Sequence, residues 1–467
     1  MPEGSPEERA ERGLSRRQFM SLSALGVATV ATRAWTASTD RTPAATTGAA
    51  VGADGRPYTV IRTAEYFGMS GGDNEMTISF PAGWQLEIRR MDGHSAPALS
   101  DDEIRTALRN PIGTRRIADL ADGKRSVVVT FDDLARPTPV GRVVPFVIEE
   151  LHAGGIRDEN IIFQGSFGTH SAMYQQDMVA KLGANIVEKY QCWNHDPFNQ
   201  VTPVGTTSRG NEVRLNSRFV AADLKITISG VKPHGMAGYG GGAKAIIPGV
   251  AWIETTAFVH HVLNARAHPA VAYLNNECRL DMEEAARLGK LDVSLNIVMN
   301  GDRQVAGLFA GDVVQAHRAA VRVAHERYNT EPARDADVVV CNAYPQSVEA
   351  AKELHWAGQS LKDGGSAVLI QDTPAGQRKI HYLGWSEGPG LIRPRPERGL
   401  PVRQAAQVIV FNRFPCKWDE NEFSEEVYFA KTWYQVIERL RRIHGDGTKV
   451  TIYPTAPLQH EPMPLRM

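Results

Sequence analysis

The sequence predicts an α/β protein built of two α/β domains with mostly parallel sheets, the functional site lying in the cleft between them. Two observations carry this. Short strand-like runs such as Ser126 to Phe131, Leu224 to Ser229 and Ala336 to Asn342 alternate with helical patterns along the chain, the order that βαβ units produce. Ser126 to Phe131 is mostly apolar rather than alternating, as a strand buried on both faces is. In a parallel sheet the carboxyl ends of the strands share one rim, and several of these runs end in Gly, His, Arg or Asp.

The chain opens with a charged segment, then Ser15-Arg16-Arg17-Gln18-Phe19-Met20 and an apolar run from Phe19 to Ala31, with Ala34-x-Ala37 as a cleavage site. That layout is a secretory signal with paired arginines, shorter than a membrane span, which directs a folded protein through the twin-arginine export machinery. The expected location is periplasmic or otherwise extracytoplasmic, membrane-anchored if the signal stays uncleaved. Residues 1–37 are the signal and 38–55, rich in Thr, Ala and Gly, a linker. The rest divides near residue 290 into domains at 56–290 and 291–467, each large enough for its own core. A net charge of -1 with few aromatic residues points to neither nucleic acid nor an anionic membrane as partner. Four widely spaced cysteines make neither a disulfide framework nor a zinc motif, and Cys192 with His195 is at most half a site.

The first strand end carries Asp132-Asp133-Leu134-Ala135-Arg136-Pro137-Thr138-Pro139 ahead of a helix predicted over Val140 to His152. The two prolines stiffen the turn, so Arg136 is held where it can grip a carboxylate with two parallel bonds. A capping Asp with a surface Arg is the competing account. The next unit runs from a strand at Asn160 to Gln164 through Gly165-Ser166-Phe167-Gly168-Thr169-His170 into a helix at Ala172 to Leu182, and sets His170 at a second strand end. Alone, such a histidine is as well explained as a cap.

The third strand, Leu224 to Ser229, breaks at Gly230 into a loop too glycine-rich for helix or sheet. It leads from Pro233-His234 through Gly235, Gly238, Gly240, Gly241 and Gly242 to Lys244. Clustered glycines leave bare backbone that can approach a ligand. Ile246, Ile247 and Pro248 close the loop, and a helix predicted around Ile253 to Ala265 presents His260. A nucleotide-hydrolase phosphate loop is excluded, since Ala243 and Ala245 flank Lys244 where Gly and Ser or Thr are needed. A dinucleotide fingerprint fails for want of an acidic residue after a second strand. A plain structural turn with an exposed lysine stays open. Convergence of Arg136, His170 and His234 on one rim shifts the balance towards a site.

The second half adds a strand at Ala336 to Asn342, a turn at Ala343-Tyr344-Pro345 and a helix over Ser347 to Leu361. Strands at Ser366 to Gln371 and Gln407 to Phe411 and an amphipathic pattern from Glu425 to Arg442 follow. Lys352 and His355, three apart, share a helix face, which a solvated surface explains as well as a site does. Trp385, Trp418 and Trp433 either line the cleft or pack.

Together these motifs resemble the nickel-dependent lactate racemases and their 2-hydroxy acid racemase relatives. The resemblance rests on Asp133-x-x-Arg136-Pro137, on Gly168-Thr169-His170, and on Pro233-His234 leading through Ala237-Gly238-Tyr239-Gly240-Gly241-Gly242-Ala243-Lys244 to Ile247-Pro248-Gly249. It implies racemisation or epimerisation of a lactate-like 2-hydroxy acid with a nickel pincer nucleotide, a pyridinium mononucleotide bearing two sulfur arms. Lys244 would tether that cofactor through a thioamide beside Gly240, Gly241 and Gly242, and His260 would ligate nickel. His170 and His234 would be the acid/base pair, Arg136 would hold the substrate carboxylate, and Asp133 would order that end. Cytoplasmic cofactor-making proteins are implied partners, loading the chain before export. Ser171 stands where the family has a basic residue. Lys352 and His355 stand where it has Gln and Lys, the lysine gripping substrate.

The chemistry agrees. The α-hydrogen beside an ionised carboxylate is too weakly acidic for simple abstraction by imidazole. A hydride acceptor avoids the carbanion, and inversion then needs an acid/base group for each hand. An exported hydroxy acid oxidoreductase on the same scaffold would show net oxidation instead. A non-catalytic carboxylate binder would have lost His170 or His234; both are present.

Overall fold

Strands form where β-branched and aromatic residues cluster. The structure, a computed structural model, describes residues 49–63, 74–264, 274–348, 350–372, 399–415, 417–420 and 423–467. The export signal, most of the linker, Cys416 and Trp385 lie outside them. Ala50–Val51, Pro57–Thr63 and Asn74–Ser79 make a small antiparallel sheet. The main elements follow: β1 (Gln85–Ile88), α1 (Asp101–Arg109), β2 (Val127–Phe131), α2 (Val144–Ala153), β3 (Ile161–Gly165), α3 (Gln175–Leu182) and β4 (Gln191–Trp193). Next come β5 (Leu224–Gly230), α4 (Glu277–Leu288), β6 (Val293–Met299), β7 (Val305–Gly311) and α5 (Gln315–Tyr328). The remainder holds β8 (Ala336–Asn342), α6 (His355–Ser360), β9 (Leu361–Ile370), β10 (Ala405–Phe411), β11 (Tyr428–Ala430), α7 (Trp433–Leu440) and β12 (Lys449–Tyr453).

Two six-stranded sheets result. The first has the order β7-β6-β5-β2-β3-β4 and is parallel except for the β6–β7 hairpin; the second, β11-β10-β9-β8-β12-β1, is parallel throughout. The expected mixed α/β architecture with mostly parallel sheets is therefore the one observed. Every residue of β2 and β6 is buried, as the continuous apolar runs require. Register brings Val129 beside Ile226 and Phe163, and Ile226 beside Val293. At about 1.5–3 kcal/mol for each fully buried aliphatic side chain, these central rows are the rigid base of everything on the rim.

The chain enters the second sheet at β1, builds the whole first sheet and returns at β8, so the change of sheet falls between Gly311 and Ala336. In the first sheet β2, β3 and β4 run outward one way while β5 and β6 lie on the other side of β2. The order therefore reverses between β2 and β5, and a crevice opens above such a switch point.

Several local expectations are corrected. The helix expected over Val140 to His152 starts as a 3-10 turn, Val140–Arg142, and becomes α only at Val144, with Pro145 in its first turn. The helix at Ile253 is α only to Ala257 and continues as a π-helix, Phe258–Leu263. The helix expected over Ser347 to Leu361 is a 3-10 turn, Ala350–Leu354, followed by α6. The amphipathic pattern from Glu425 divides into β11 and α7, because Thr432 and Gln435 form a capping box that starts the helix there. The glycine stretch is more ordered than a plain loop: Pro233–His234 pairs with Gly238–Tyr239, and Gly242–Ala245 forms a 3-10 turn.

Candidate active site

A pocket of about 640 Å³, part of it open to solvent, lies over the switch point of the first sheet. Four strand ends build its wall: Asp132, Asp133, Arg136 and Thr138 after β2, Ser166 and Phe167 after β3, Gly230 and Lys232 around the end of β5, and Met299 closing β6. His234, Gly240, Gly241, Lys244 and Pro248 complete it. The parallel sheet thus gathers segments more than a hundred residues apart in sequence.

The β2 end supplies an oriented base. Asp133 is buried, and its Oδ2 lies 2.7 Å from His170 Nδ1. Burial alone would raise its pKa, but His170, Arg136 and Lys181 hold it below the usual carboxylate value, so it is ionised and can only accept. His170 must then donate from Nδ1, which leaves the lone pair on Nε2. Arg136 Nη2 points at that nitrogen from 3.4 Å, and its Nη1 bonds the carbonyl of Ala135 at 3.1 Å. Beneath this pair, buried Lys181 from α3 reaches the carbonyls of Asp133 and Arg136, both at 3.0 Å, and Asp132 at 2.6 Å. The turn carrying Arg136 is fixed from below as well as by its prolines.

The glycine loop is clamped from behind. Fully buried Arg279, on α4, donates Nε to the carbonyl of Ala237 at 3.3 Å and Nη1 to that of Gly241 at 3.2 Å, and its Nη2 bonds the carbonyl of Tyr239. His317 on α5 holds the Gly240 carbonyl at 2.8 Å, and Asn296 in β6 accepts from the Gly242 N–H at 2.9 Å. Gly241 (φ 78°) and Gly242 (φ 58°) are left-handed; a Cβ on Gly242 would meet His317 Cγ at 2.8 Å, so only glycine fits. Lys244 follows at the mouth of this cradle. Tyr239 is tied to α5 as well, its hydroxyl 2.9 Å from His325 Nδ1.

His234 sits across the pocket. Its Nδ1 accepts from the N–H groups of Met236 and Ala237, both at 3.2 Å. Burial, then the positive charges of Lys244, Lys352, Lys232 and Arg136, push its pKa well below the usual imidazole value. The second-sheet half therefore reaches the site electrostatically through Lys352, although every lining residue belongs to the first. His260, on the π-helical turn, donates Nδ1–H to the carbonyl of Thr256 at 2.9 Å, which puts the lone pair on Nε2, the form a metal-binding imidazole takes. Burial, with smaller contributions from Lys244, His261 and His170, lowers it to about 4. Among the described residues no group of three or more His, Cys, Asp or Glu could hold a metal by itself.

Of the residues singled out in the sequence, Asp133, Arg136, His170, His234, Gly240, Gly241 and Lys244 thus converge, with Gly242 just beneath and His260 and Lys352 within electrostatic reach. His355 does not join them on its contacts: exposed at the start of α6, it tilts against Trp356 at 4.9 Å and bonds the Lys352 carbonyl at 3.1 Å. Cys192 and His195 form no half-site. His195 Nε2 bonds the Ala251 carbonyl at 2.9 Å, and the Cys192 thiol faces the Tyr190 carbonyl at 3.7 Å. Trp433 packs, edge-on to Phe80 and Phe411. Sequence reasoning missed Lys181, Arg279 and His317. Asn296 had a signal: a lone amide inside the apolar run Val293–Met299.

The lactate racemase N-terminal domain family matches residues 71–271. The lactate racemase of Thermoanaerobacterium thermosaccharolyticum is 30% identical over 328 residues, 66% of this chain and 76% of that protein. The lactate racemase of Lactiplantibacillus plantarum is 28% identical over 76% of this chain and 90% of its own length. The fold is shared with the lactate racemase apoprotein of Thermoanaerobacterium thermosaccharolyticum, at TM-score 0.65 and 23% identity over 87% of this chain and all of that one. A Thermotoga maritima protein shares it at TM-score 0.56 and 17% identity, over 78% of this chain and 99% of that one. With a relative 30% identical matched over three-quarters of its length, and with that relative's fold, this chain belongs to the lactate racemase family.

Proposed function

We propose that the protein racemises or epimerises a lactate-like 2-hydroxy carboxylic acid, using a nickel pincer nucleotide tethered to Lys244, and that it works outside the cytoplasm after folded export. The observation that carries the reading is the convergence of an Asp133-oriented His170, Arg136, His234 and Lys244 on one pocket. Relatives named as lactate racemases support the reaction class.

The residues present fit such a cofactor. Two buried polar atoms in the pocket wall, Ser229 Oγ and Asp133 Oδ1, have no hydrogen-bond partner, so a polar ligand could satisfy them. His260 holds its neutral tautomer, suited to nickel. When bound, the group supplies an acceptor that can hold a hydride from the α-carbon and return it.

The chain's own residues do the rest. Arg136 pairs with the substrate carboxylate and fixes the acid's orientation. His170, steered by Asp133, takes the hydroxyl proton at Nε2, and the imidazolium so formed is stabilised by the ionised carboxylate behind it. His234 faces the oxygen from the other side. Lys352, whose positive charge acts on His234, is the position at which the substrate's far end would be read.

The test is the intact mass and nickel content of protein purified from a host shown to make the cofactor, comparing wild type with Lys244→Ala. A nickel-bearing adduct lost in the variant is the expected result. An unmodified, nickel-free wild-type chain from that host would end the racemase assignment.

A further inference from the structure

We infer that Lys181, which lies behind the pocket wall rather than in it, is a positioning residue whose ammonium ties the Arg136 grip and the Asp133–His170 pair into one unit. The inference rests on the racemase reading for what the unit does to a substrate, and on geometry for the unit itself. Lys181 comes from α3, and its side chain is 3% exposed. Its Nζ donates to the main-chain carbonyls of Asp133 and Arg136, both at 3.0 Å, and pairs with Asp132 Oδ1 at 2.6 Å. Asp133 carries the carboxylate that holds His170, and Arg136 carries the guanidinium beside it. One nitrogen therefore fixes the backbone from which both groups project.

The surroundings of that nitrogen require its charge. A neutral amine could serve the two carbonyls but would turn its lone pair to the Asp132 carboxylate, where only a donor is tolerated. Burial lowers the Lys181 pKa, and Asp132 and then Asp133 counter it. Asp132 is occupied on both oxygens, Oδ1 by the ammonium and Oδ2 by the Thr138 hydroxyl at 2.5 Å, which leaves Asp133 as the carboxylate for His170. Two carboxylates are thus matched by one ammonium and one guanidinium before His170 takes up any proton. The helix is seated on the same segment: a Cβ on Gly141, just past the prolines, would stand 3.2 Å from the carbonyl oxygens of Lys181 and Leu182.

A 2-hydroxy acid presents its carboxylate and hydroxyl on adjoining carbons, so the guanidinium that receives one and the imidazole that meets the other must keep a fixed spacing. Here Arg136 Nη2 and His170 Nε2 are 3.4 Å apart. A misplacement of about 1 Å, even from a residue remote from the chemistry, can cost about 100-fold in rate. Without the ammonium the two carbonyls lose their common donor, and the turn keeps only its own closing bond, from the Arg136 N–H to the Asp133 carbonyl at 3.1 Å. Loss of Lys181 then raises KM through Arg136 and lowers kcat through His170 together.

The experiment compares Asp132→Asn with the double variant Lys181→Met/Asp132→Asn. The two differ only in the ammonium, and the asparagine spares the double variant a buried carboxylate without a cation. In cofactor-free protein without substrate, solvent exchange of the His170 Nδ1–H, followed by NMR on histidine-labelled protein, should be at least about tenfold faster in the double variant. In cofactor-loaded enzyme its kcat/KM should fall about 100-fold below that of Asp132→Asn, with KM raised and kcat lowered, while both variants keep a cooperative urea transition. Exchange and kcat/KM within about threefold of each other in the two variants overturn the proposal. So does a double variant that has lost its fold, which would make Lys181 a stabilising residue of the domain. The exchange measurement needs neither cofactor nor substrate, so its failure is distinguishable from failure of the racemase assignment.

Discussion

Replacing Arg279 with Met tests whether the glycine loop is held from behind. Arg279 is fully buried, and although burial lowers its pKa to about 10 it is charged at neutral pH. It serves three carbonyls of one loop, those of Ala237, Tyr239 and Gly241. Methionine fills much of the same space and packs flexibly, so the principal loss is the hydrogen bonds. Leaving a buried acceptor unsatisfied costs about 1–3 kcal/mol. Three at the lower end come to about 3 kcal/mol, offset in part because a buried cation and its desolvation cost are removed too. Glu283 is not orphaned, since Arg318 sits 2.8 Å from it. A net local loss of about 2–3 kcal/mol corresponds to roughly 30- to 150-fold easier opening, at 1.4 kcal/mol per factor of ten. Amide hydrogen exchange over residues 236–245 reads this directly, with peptides from β2 and β6 as the unaffected reference. Loop protection within about twofold of wild type would refute the clamp.

Two further outcomes follow from the same geometry. Asp133→Asn keeps the shape of the carboxyl group but removes the charge behind His170; losing a charged hydrogen bond, about 1.5–3 kcal/mol, should lower kcat by about 10- to 150-fold, and a steady-state kcat within threefold of wild type would contradict the orienting role. For pH, burial first, aided by Arg90 and Arg62, lowers His94 to about 4, burial lowers His195 to about 4, and burial with Arg279 puts His317 well below the ordinary imidazole value. The unfolded chain, with histidines near 6.5, binds more protons than the folded one below that value, so stability is full above about pH 6.5 and falls towards pH 4. Asp133, depressed in the fold, extends the loss below about pH 3.9. The urea midpoint should drop clearly from pH 7 to pH 5 and stay level from pH 7 to pH 8; equal midpoints at pH 5 and 7 would refute it.

How far the site was legible varies residue by residue, for a physical reason. Arg136, His170 and His234 each follow an apolar run, and parallel strands put such followers on one rim, so their meeting is a consequence of periodicity. Gly241 and Gly242 are glycines because their backbone is left-handed against His317, which sequence shows only as a cluster. Arg279 carries no such mark. It lies in Glu-Cys-Arg-Leu-Asp-Met, where nothing local distinguishes a buried clamp from a surface charge, and its partners come from 38 to 42 positions away. Likewise the spacing of Lys352 and His355 predicted a shared helix face, but a 3-10 turn ends between them and sends one towards His234's field and the other onto Trp356.

By itself the sequence determined the alternation of buried strands and helices, the glycine–lysine segment and the family resemblance, because strand burial and turn chemistry are written in local composition. Only the tertiary structure decided the strand order, and with it the switch point between β2 and β5 over which the pocket opens. It also decided the tautomers of His170 and His234. A ring nitrogen's role depends on whether its neighbour can give or only take a proton, and those neighbours, a carboxylate 37 residues away and the N–H groups of a folded-back loop, acquire their places only when the chain is packed.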